Sequence, residues 1–232
     1  MNYELRTNKG LTLTEMTVVV AVAAMLTALS MPAVRTFFSS MATSGDTRAL
    51  ISASLASARA IAAKEQRYAG IRFQKAYDPK GPLYAPQYMI FIVHDYDKTG
   101  LANGFRAVEG IQPIKLSDDV GVIDAGTAIS DPNTLINATT FSIVFSPSGK
   151  LVIHPVRARN RDGQTGTLSQ DDIFNTKANV DAGIGMFYQD DPASGLYQES
   201  SRSNFVIYEK GKLNQLKQVY INPYTGTIVD NQ

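Results

Sequence analysis

An uninterrupted apolar run near the N-terminus constrains this chain more than any other feature. Residues 16–34 carry no charged side chain, and extending the run back to Leu11 adds a single charge, Glu15. A helix of 24 residues is roughly 36 Å long at about 1.5 Å per residue, which exceeds the roughly 30 Å of a bilayer's hydrocarbon core. The run therefore predicts a transmembrane helix over residues 11–34.

The charges ahead of this run predict its orientation. The first ten residues carry Arg6 and Lys9 against Glu4. Positive charge beside a membrane span is typical of the cytoplasmic side. We therefore expect residues 1–10 to form a short cytoplasmic leader peptide. The rest of the protein is expected on the periplasmic side of a bacterial inner membrane, as a single-pass protein.

Composition excludes several classes of function. The chain has 22 Lys and Arg against 21 Asp and Glu, and this balance excludes a strongly basic protein that coats polyanions. It has no cysteine, which excludes disulfides, thiol catalysis and Cys-ligated zinc, and its two histidines, His94 and His154, are too few for a histidine metal cage. No nucleophile elbow, phosphate loop or H-E-x-x-H string occurs, so we expect a protein that is not an enzyme and needs no cofactor or metal.

Glu15, at the start of the apolar run, has two interpretations. The segment Thr12–Glu15 spells a capping box, in which the carboxylate bonds to a free backbone N–H of the first helical turn. An ionisable group within a membrane span, however, usually has a partner and a function. A further alternative concerns the end of the run, where Ala28–Ser30 fits a signal peptidase site and would release a soluble protein that starts at Met31.

The string from Lys9 to Glu15, followed by the apolar run and Pro32, resembles the type IV prepilin signal shared by type IV pilins and type II secretion pseudopilins. The resemblance implies that prepilin peptidase cuts after Gly10 and that Leu11 becomes the N-methylated first residue. It also implies a role for Glu15 in filament assembly and a helix kink at Pro32. Leu11 is a mild departure, since the family usually has Phe or Met there.

The new N-terminus and Glu15 would form a matched pair of charges. Leu11 and Glu15 are four residues apart, which places the amine and the carboxylate on one helix face about 6 Å apart along the axis. In a packed filament, Glu15 of one subunit can neutralise the amine of the next. The implied partners are other pseudopilins or pilins, the prepilin peptidase, the inner-membrane assembly platform and the lipid bilayer.

Helical periodicity continues beyond the apolar run. Apolar residues recur at spacings of four, three and four from Ile51 to Ala62, which predicts that residues 35–68 form a periplasmic second half of the same helix. Gly45 interrupts this half and costs about 1 kcal/mol relative to alanine. The segment around Arg59 is similar to the A-R-x-x-A sequence that closes this helix in H-type minor pseudopilins and FimT-like pilins.

Residues 69–232 read as a β-rich globular domain. The predicted strands are short apolar or alternating runs bounded by turn residues, namely 70–74, 88–94, 111–116, 120–123, 140–145, 151–154, 205–208, 216–221 and 227–229. Ser146–Gly149 and Asn222–Gly226 are predicted turns. The pieces Phe145–Gly149 and Val219–Pro223, followed by Gly226, resemble the closing strands of the H-type family. The expected fold class is α+β, with a long N-terminal helix, membrane-spanning in its first half, packed on an antiparallel β-sheet domain.

A polar insertion interrupts this domain at about residues 155–204. It has five basic and seven acidic residues, so it exerts no general attraction for nucleic acid. We expect a long loop that offers a surface to a partner subunit or to an exported substrate. Its one dense basic cluster, Arg157, Arg159 and Arg161, is a candidate contact for DNA or for a partner, with a solvated loop as the alternative.

The segment Asp95–Asn103 begins like a calcium loop, with oxygen ligands at alternate positions and a glycine sixth. The twelfth position, where a bidentate Glu is needed, is Arg106, so we expect a polar turn. His94 and His154 each end a predicted strand, and we expect ordinary strand-end histidines there.

The sequence therefore predicts a minor structural subunit (pseudopilin) of a type II secretion pseudopilus, which is processed by prepilin peptidase and assembled into a pilus-like filament for protein export. One alternative is a type IV minor pilin for adhesion, motility or DNA uptake. The other is a soluble periplasmic binding module that signal peptidase releases.

Overall fold

A computed structural model gives the structure of residues 14, 16–19, 47–127, 132–209 and 217–230. The chain divides into two compact units, Met1–Ser40 and Met41–Gln232. In the first unit, Thr14 and residues 16–19 are helical and exposed. The sites expected at Gly10, Leu11, Glu15 and Pro32 lie outside the described residues.

No helix in the described part of the chain has the length and apolar character needed to cross a membrane. The expected single-pass placement in the inner membrane, with a transmembrane helix, is wrong on this finding. The longest described helix, α1, spans Thr47–Glu65, and its 19 residues are about 28 Å long. It carries four charged side chains, which suit a helix on a protein surface.

The expected α+β architecture, with a long N-terminal helix packed on an antiparallel sheet, is also wrong. The structure is mostly β, with 14 strands among the described residues and short helices between them.

The remaining described helices are single turns or little more. They are α2, Tyr96–Thr99, α3, Pro132–Thr139, and α4, Lys177–Asp181, with 3₁₀ turns at Gly166–Leu168 and Pro192–Ser194.

The strands follow the short apolar runs of the sequence. They are β1 Ala69–Lys75, β2 Gln87–His94, β3 Gly104–Ala107, β4 Ile114–Lys115, β5 Val120–Asp124, β6 Phe141–Phe145, β7 Leu151–Val152, β8 Pro155–Arg159, β9 Phe174–Asn175, β10 Phe187–Tyr188, β11 Glu199–Ser200, β12 Asn204–Glu209, β13 Lys217–Ile221 and β14 Ile228–Asp230. Each predicted strand overlaps one of these. No strand was predicted at β3 or at the four strands of the insertion, β8–β11.

The largest sheet has eight strands in the order β11-β8-β3-β2-β1-β6-β7, with β4 paired to β2. Its pairs are antiparallel except for β3 and β8, which run parallel. A second sheet has the order β14-β13-β12-β5, and β9 and β10 form a small parallel pair. The insertion therefore supplies two strands of the main sheet.

The main sheet must be strongly curled, because consecutive strands lie at opposite ends of it. Only Ile153 and His154 connect β7 to β8, and this link spans at most about 11 Å. Five strand spacings separate β7 from β8 in the sheet order, which would be about 24 Å if the sheet were flat. Near the same seam, the Arg202 N–H donates to the Ser142 carbonyl at 2.7 Å, which ties the chain after β11 to β6.

The inner face of the curled sheet is packed by the insertion. Its apolar residues come from β2, β3, β6 and the insertion, and they are Ile90, Ile92, Phe105, Ala107, Val144, Val156, Ala158, Ile173, Phe174 and Phe187. All are buried. The insertion, although its sequence is mostly polar, therefore supplies apolar side chains that fill the hydrophobic core.

The outer face of the sheet is covered by α1 and by the second sheet. The α1 side chains that pack here are fully buried at Ile51, Leu55, Ala58 and Ala62. Phe73 of β1 stacks on Phe141 of β6 at 4.9 Å between ring centroids, and Phe205 of the second sheet lies 5.7 Å from Phe73. These three rings join the two sheets. Because both faces of β1 are covered, nearly all of that strand is buried.

Arg59 joins α1 to two distant turns. Its Nε donates to the Gly149 carbonyl at 2.8 Å, and its Nη1 donates to the Thr225 carbonyl at 3.1 Å. Both turns depend on a glycine at positive φ, Gly149 at 74° and Gly226 at 71°, where other residues are strained. The turns also contact each other, since the Leu151 N–H donates to the Pro223 carbonyl.

We expect Arg59→Ala to lower the free energy of unfolding by about 1–3 kcal/mol, because two charge-assisted hydrogen bonds are lost together. Urea denaturation measures this difference. Lys64→Ala, on the exposed last turn of the same helix, is the matched control and should change stability by less than about 0.5 kcal/mol. Equal effects of the two substitutions would contradict the role assigned to Arg59.

Candidate functional site

The main concentration of buried charge is on the inner face of the curled sheet, around Arg72. Strand alternation points this side chain away from α1, into the apolar interior, where it is 1% exposed. Its Nη2 lies 2.5 Å from Asp190 Oδ1 and its Nη1 lies 3.0 Å from Glu199 Oε1. Its Nε donates to Gln74 Oε1 at 2.7 Å, so all three guanidinium nitrogens are engaged.

Both carboxylates belong to the insertion. Asp190 follows β10 and is fully buried, and its second oxygen accepts a hydrogen bond from the Ala158 N–H at 2.7 Å. Glu199, on β11, also accepts from the Ser142 hydroxyl at 2.7 Å. The carboxylates therefore bond the insertion to β1 and β6, and Asp190 also bonds to β8 within the insertion.

The shell around these ions is completed by neutral groups. Gln74 also donates to the Tyr188 carbonyl at 2.8 Å, which extends the hydrogen-bond network to β10. The Arg72 guanidinium lies 6.0 Å from the centroid of the Phe174 ring, within the range of a cation–π contact. Within the described residues, no buried side-chain nitrogen or oxygen lacks a hydrogen-bond partner. The cluster thus meets the requirement that buried charges be paired and bonded.

The cluster carries one positive and two negative groups, so full ionisation would leave one uncompensated buried charge. Burial raises the pKa of Asp190 against the effect of Arg72. Burial, and also the Asp190 charge, raise the pKa of Glu199 to about 7, although Arg72 and the Ser142 hydroxyl act in the opposite direction. We assign the shared proton to Glu199 near neutral pH, because Asp190 has the shorter contact with Arg72 and a backbone N–H bond.

The geometry of the Arg72 cluster suits a structural role better than a catalytic one. Arg72 and Asp190 are inaccessible, and each is saturated by partners from the same fold. The Ser142 hydroxyl donates directly to a carboxylate, with no imidazole to accept its proton, so it lacks the base that activates a serine nucleophile. The cluster holds the insertion in the sheet.

Arg72, Asp190 and Glu199 were not among the residues predicted from the sequence. One signal was present, since Arg72 is a charged residue inside a predicted strand whose neighbours are apolar. The two carboxylates had none, because they occur among other polar residues in a segment interpreted as a loop.

The structure places the predicted basic cluster along β8 and just after it. Arg157 Nε and Arg159 Nη1 both donate to the Asp190 carbonyl, at 3.4 Å and 3.2 Å. Arg161 pairs with Asp171 at 2.9 Å and also with Asp172. Burial and then the Arg157 charge lower the pKa of Arg159. These arginines therefore bond to acceptors within the insertion.

The predicted calcium-like segment is organised by arginines. Asp95 caps α2 by accepting from the Lys98 N–H, and its carboxylate pairs with Arg106 Nε at 2.5 Å and Arg67 Nη1 at 3.3 Å. Burial acts to raise the pKa of Asp95, but the hydrogen bonds from Arg106 and Lys98 outweigh it and lower that pKa overall. Arg106, which stands where a calcium loop has its Glu, thus takes up the first carboxylate of the segment.

His94 ends β2 as expected, whereas His154 lies in the two-residue link after β7 rather than in a strand. No pattern in the sequence indicates that the two residues meet. Their ring centroids are 6.2 Å apart at one end of the inner face. In the described part of the chain, no group of three or more His, Cys, Asp or Glu side chains is placed to hold a metal ion.

We expect Arg72→Met to lower the free energy of unfolding by about 3–5 kcal/mol, because it leaves the buried Asp190 carboxylate without a counter-ion and Glu199 without its guanidinium partner. Adding Asp190→Asn and Glu199→Gln removes those charges, so the triple variant should be more stable than Arg72→Met alone. Urea denaturation of wild type, Arg72→Met, the Asp190→Asn/Glu199→Gln double variant and the triple variant measures the coupling. Additive costs would show that the three side chains act independently.

We also expect stability to depend on the pH through Glu199. The folded state binds this proton more tightly than the unfolded chain, since the pKa rises from 4.5 to about 7. The contribution is therefore complete below about pH 4.5 and is lost as the pH rises through 7, a difference of about 3 kcal/mol at most.

Urea denaturation between pH 4.5 and 8.5 measures this slope, which Glu199→Gln should remove. Glu109→Gln, at an exposed glutamate, is the control and should keep the wild-type slope. A wild-type slope retained in Glu199→Gln would refute the assignment.

In comparisons with known proteins, the sequence matches no protein-family model and no curated protein, and the structure matches no solved structure.

Proposed function

We propose that this chain is a minor, pseudopilin-type subunit of a pilus-like filament for protein export. The observation that carries the proposal is the position of Arg59. The three segments that resemble H-type minor pseudopilins are the one around Arg59 and the two turns Ser146–Gly149 and Asn222–Gly226. They are distant in the sequence, yet Arg59 hydrogen-bonds to both turns.

This arrangement supports the resemblance because unrelated chance matches have no reason to meet. A short likeness in one turn is weak on its own. Three likenesses that share one arginine and its two carbonyl acceptors form a single structural unit, with Gly149 and Gly226 supplying the positive φ that each turn requires. The prepilin-like string at Gly10–Glu15 is then a fourth, independent likeness in the same chain.

In this proposal, prepilin peptidase cuts between Gly10 and Leu11, and Glu15 pairs with the terminal amine of a neighbouring subunit. Pairing of these charges in a poorly solvated interface sets the register of assembly. The folded insertion is the surface offered to a partner or an exported substrate, where Leu168 and Tyr197 are 68% and 66% exposed.

One observation favours export over DNA uptake by a related type IV minor pilin. Contact with phosphates needs arginines that can leave their present partners. Arg161 is bonded to two aspartates, and Arg157 and Arg159 bond to the Asp190 carbonyl. The basic cluster is therefore poorly suited to a DNA backbone.

Mass spectrometry of the protein recovered from its native cells tests the processing step. We expect a chain that begins at N-methylated Leu11. A chain that begins at Met1 would contradict prepilin processing, and one that begins at Met31 would indicate release by signal peptidase.

Incorporation of Glu15→Ala into filaments tests the assembly step. We expect normal removal of the leader but a loss of incorporation, because the terminal amine of the neighbouring subunit loses its counter-charge. Glu4→Ala, in the leader that is removed, is the control and should assemble like wild type. Undiminished incorporation of Glu15→Ala would overturn the role given to this carboxylate.

A further inference from the structure

The two histidines of the chain come together at one end of the curled sheet. His94 ends β2 and His154 lies in the link between β7 and β8, and their ring centroids are 6.2 Å apart. They are the only histidines in the sequence, which also has no cysteine. The fold therefore brings together every imidazole that the protein possesses.

Each ring has one nitrogen fixed by a backbone carbonyl. His94 Nε2 lies 2.9 Å from the Ala102 carbonyl oxygen, and His154 Nδ1 lies 2.6 Å from that of Pro155. A carbonyl oxygen only accepts, so these nitrogens carry the protons. In the neutral rings, His94 Nδ1 and His154 Nε2 then keep their lone pairs.

This bonding pattern is the one that metal-binding histidines use. A ligating imidazole usually donates its other N–H to a carbonyl or carboxylate, which fixes both the tautomer and the direction of the ring. Neutral imidazole nitrogen is a preferred ligand of Zn²⁺ and Cu²⁺. Here both rings have such a donor bond before any ion binds.

The separation of the rings is compatible with one shared ion. With metal–nitrogen bonds of about 2.0–2.1 Å, the ion lies about 3.2 Å from each ring centroid, so the two centroids can be at most about 6.4 Å apart. The observed 6.2 Å lies inside this limit.

The surroundings hold the rings in place without covering them. Tyr68 packs on His154 at 4.4 Å, and Phe105 lies 5.5 Å and 5.6 Å from the two rings. The Ser201 hydroxyl accepts from the His154 N–H and donates to the Val152 carbonyl, which fixes the link between β7 and β8. Both histidines remain partly exposed, so an ion and its waters can reach them.

We propose that His94 and His154 form a binding site for one borderline divalent transition-metal ion, Zn²⁺ or Cu²⁺, with water completing its coordination. The ion bridges the end of β2 to the link between β7 and β8 and so closes this end of the curled sheet. The site is separate from the filament proposal and does not depend on it.

Zinc titration of the untagged full chain tests the proposal, followed by calorimetry and by the Hε1 and Cε1 NMR signals of the two histidines. We expect one Zn²⁺ per chain, with both histidine signals shifting together at the same ratio. If only one histidine signal shifts with zinc, or neither does, the wild-type titration alone overturns the proposal.

Substitutions locate the site. His94→Gln and His154→Gln should each weaken zinc binding at least tenfold, and the double variant should show only background binding. Asp97→Asn, an exposed acidic residue on α2, is the control and should bind zinc like wild type. Retained one-to-one binding in the double variant would contradict the site.

A parallel Cu²⁺ titration distinguishes the two ions. The usual order of affinities predicts tighter binding of Cu²⁺ than of Zn²⁺ at the same two imidazoles. Displacement of Zn²⁺ by one equivalent of Cu²⁺ supports a shared site, and independent binding of both ions would contradict it.

Discussion

The buried contact between Arg72 and the two carboxylates of the insertion is the constraint on which the rest of the structure depends. A guanidinium inside a curled sheet is tolerable only if opposite charge reaches it, and Asp190 and Glu199 supply that charge. Without the insertion, β1 would carry a buried guanidinium that lacks both of its carboxylate partners. Conversely, the insertion owes its fold to the sheet, since its short strands and turns have little regular structure to hold them on their own.

This dependence explains why the sheet closes as it does. β8 and β11 extend the sheet beyond β3, and the two-residue link from β7 to β8 forces the opposite edges together. The interior of the curled sheet is then filled by Ile173, Phe174 and Phe187 of the insertion. On the outer face, α1 covers the sheet and Arg59 fixes its position by bonding to two turns. Arg72 on the inner face of the sheet thus bonds to the insertion, and Arg59 on the outer face bonds to the two turns.

The sequence predicted local structure better than architecture. Short apolar runs bounded by turn residues located every strand outside the insertion except β3, because period-two burial is a local signal. The architecture was missed for two physical reasons. The long helix was predicted mainly from the apolar run at the N-terminus, whereas the longest described helix is Thr47–Glu65. The insertion was interpreted as a solvated loop, because its buried carboxylates look like surface residues until Arg72 is placed opposite them. Of the candidate site, only Arg72 within a strand gave a sequence signal.

Hydrogen exchange of the native protein tests most directly whether the insertion is an integral part of the sheet. The Asp190 N–H donates to the Ala158 carbonyl, and the Ala158 N–H donates to the Asp190 carboxylate. If the ion cluster joins the insertion to β1, these two amides should exchange as slowly as those of β1 and β2, through opening of the whole domain. Exchange of the Ala158 and Asp190 amides within seconds, while β1 stays protected, would contradict the account.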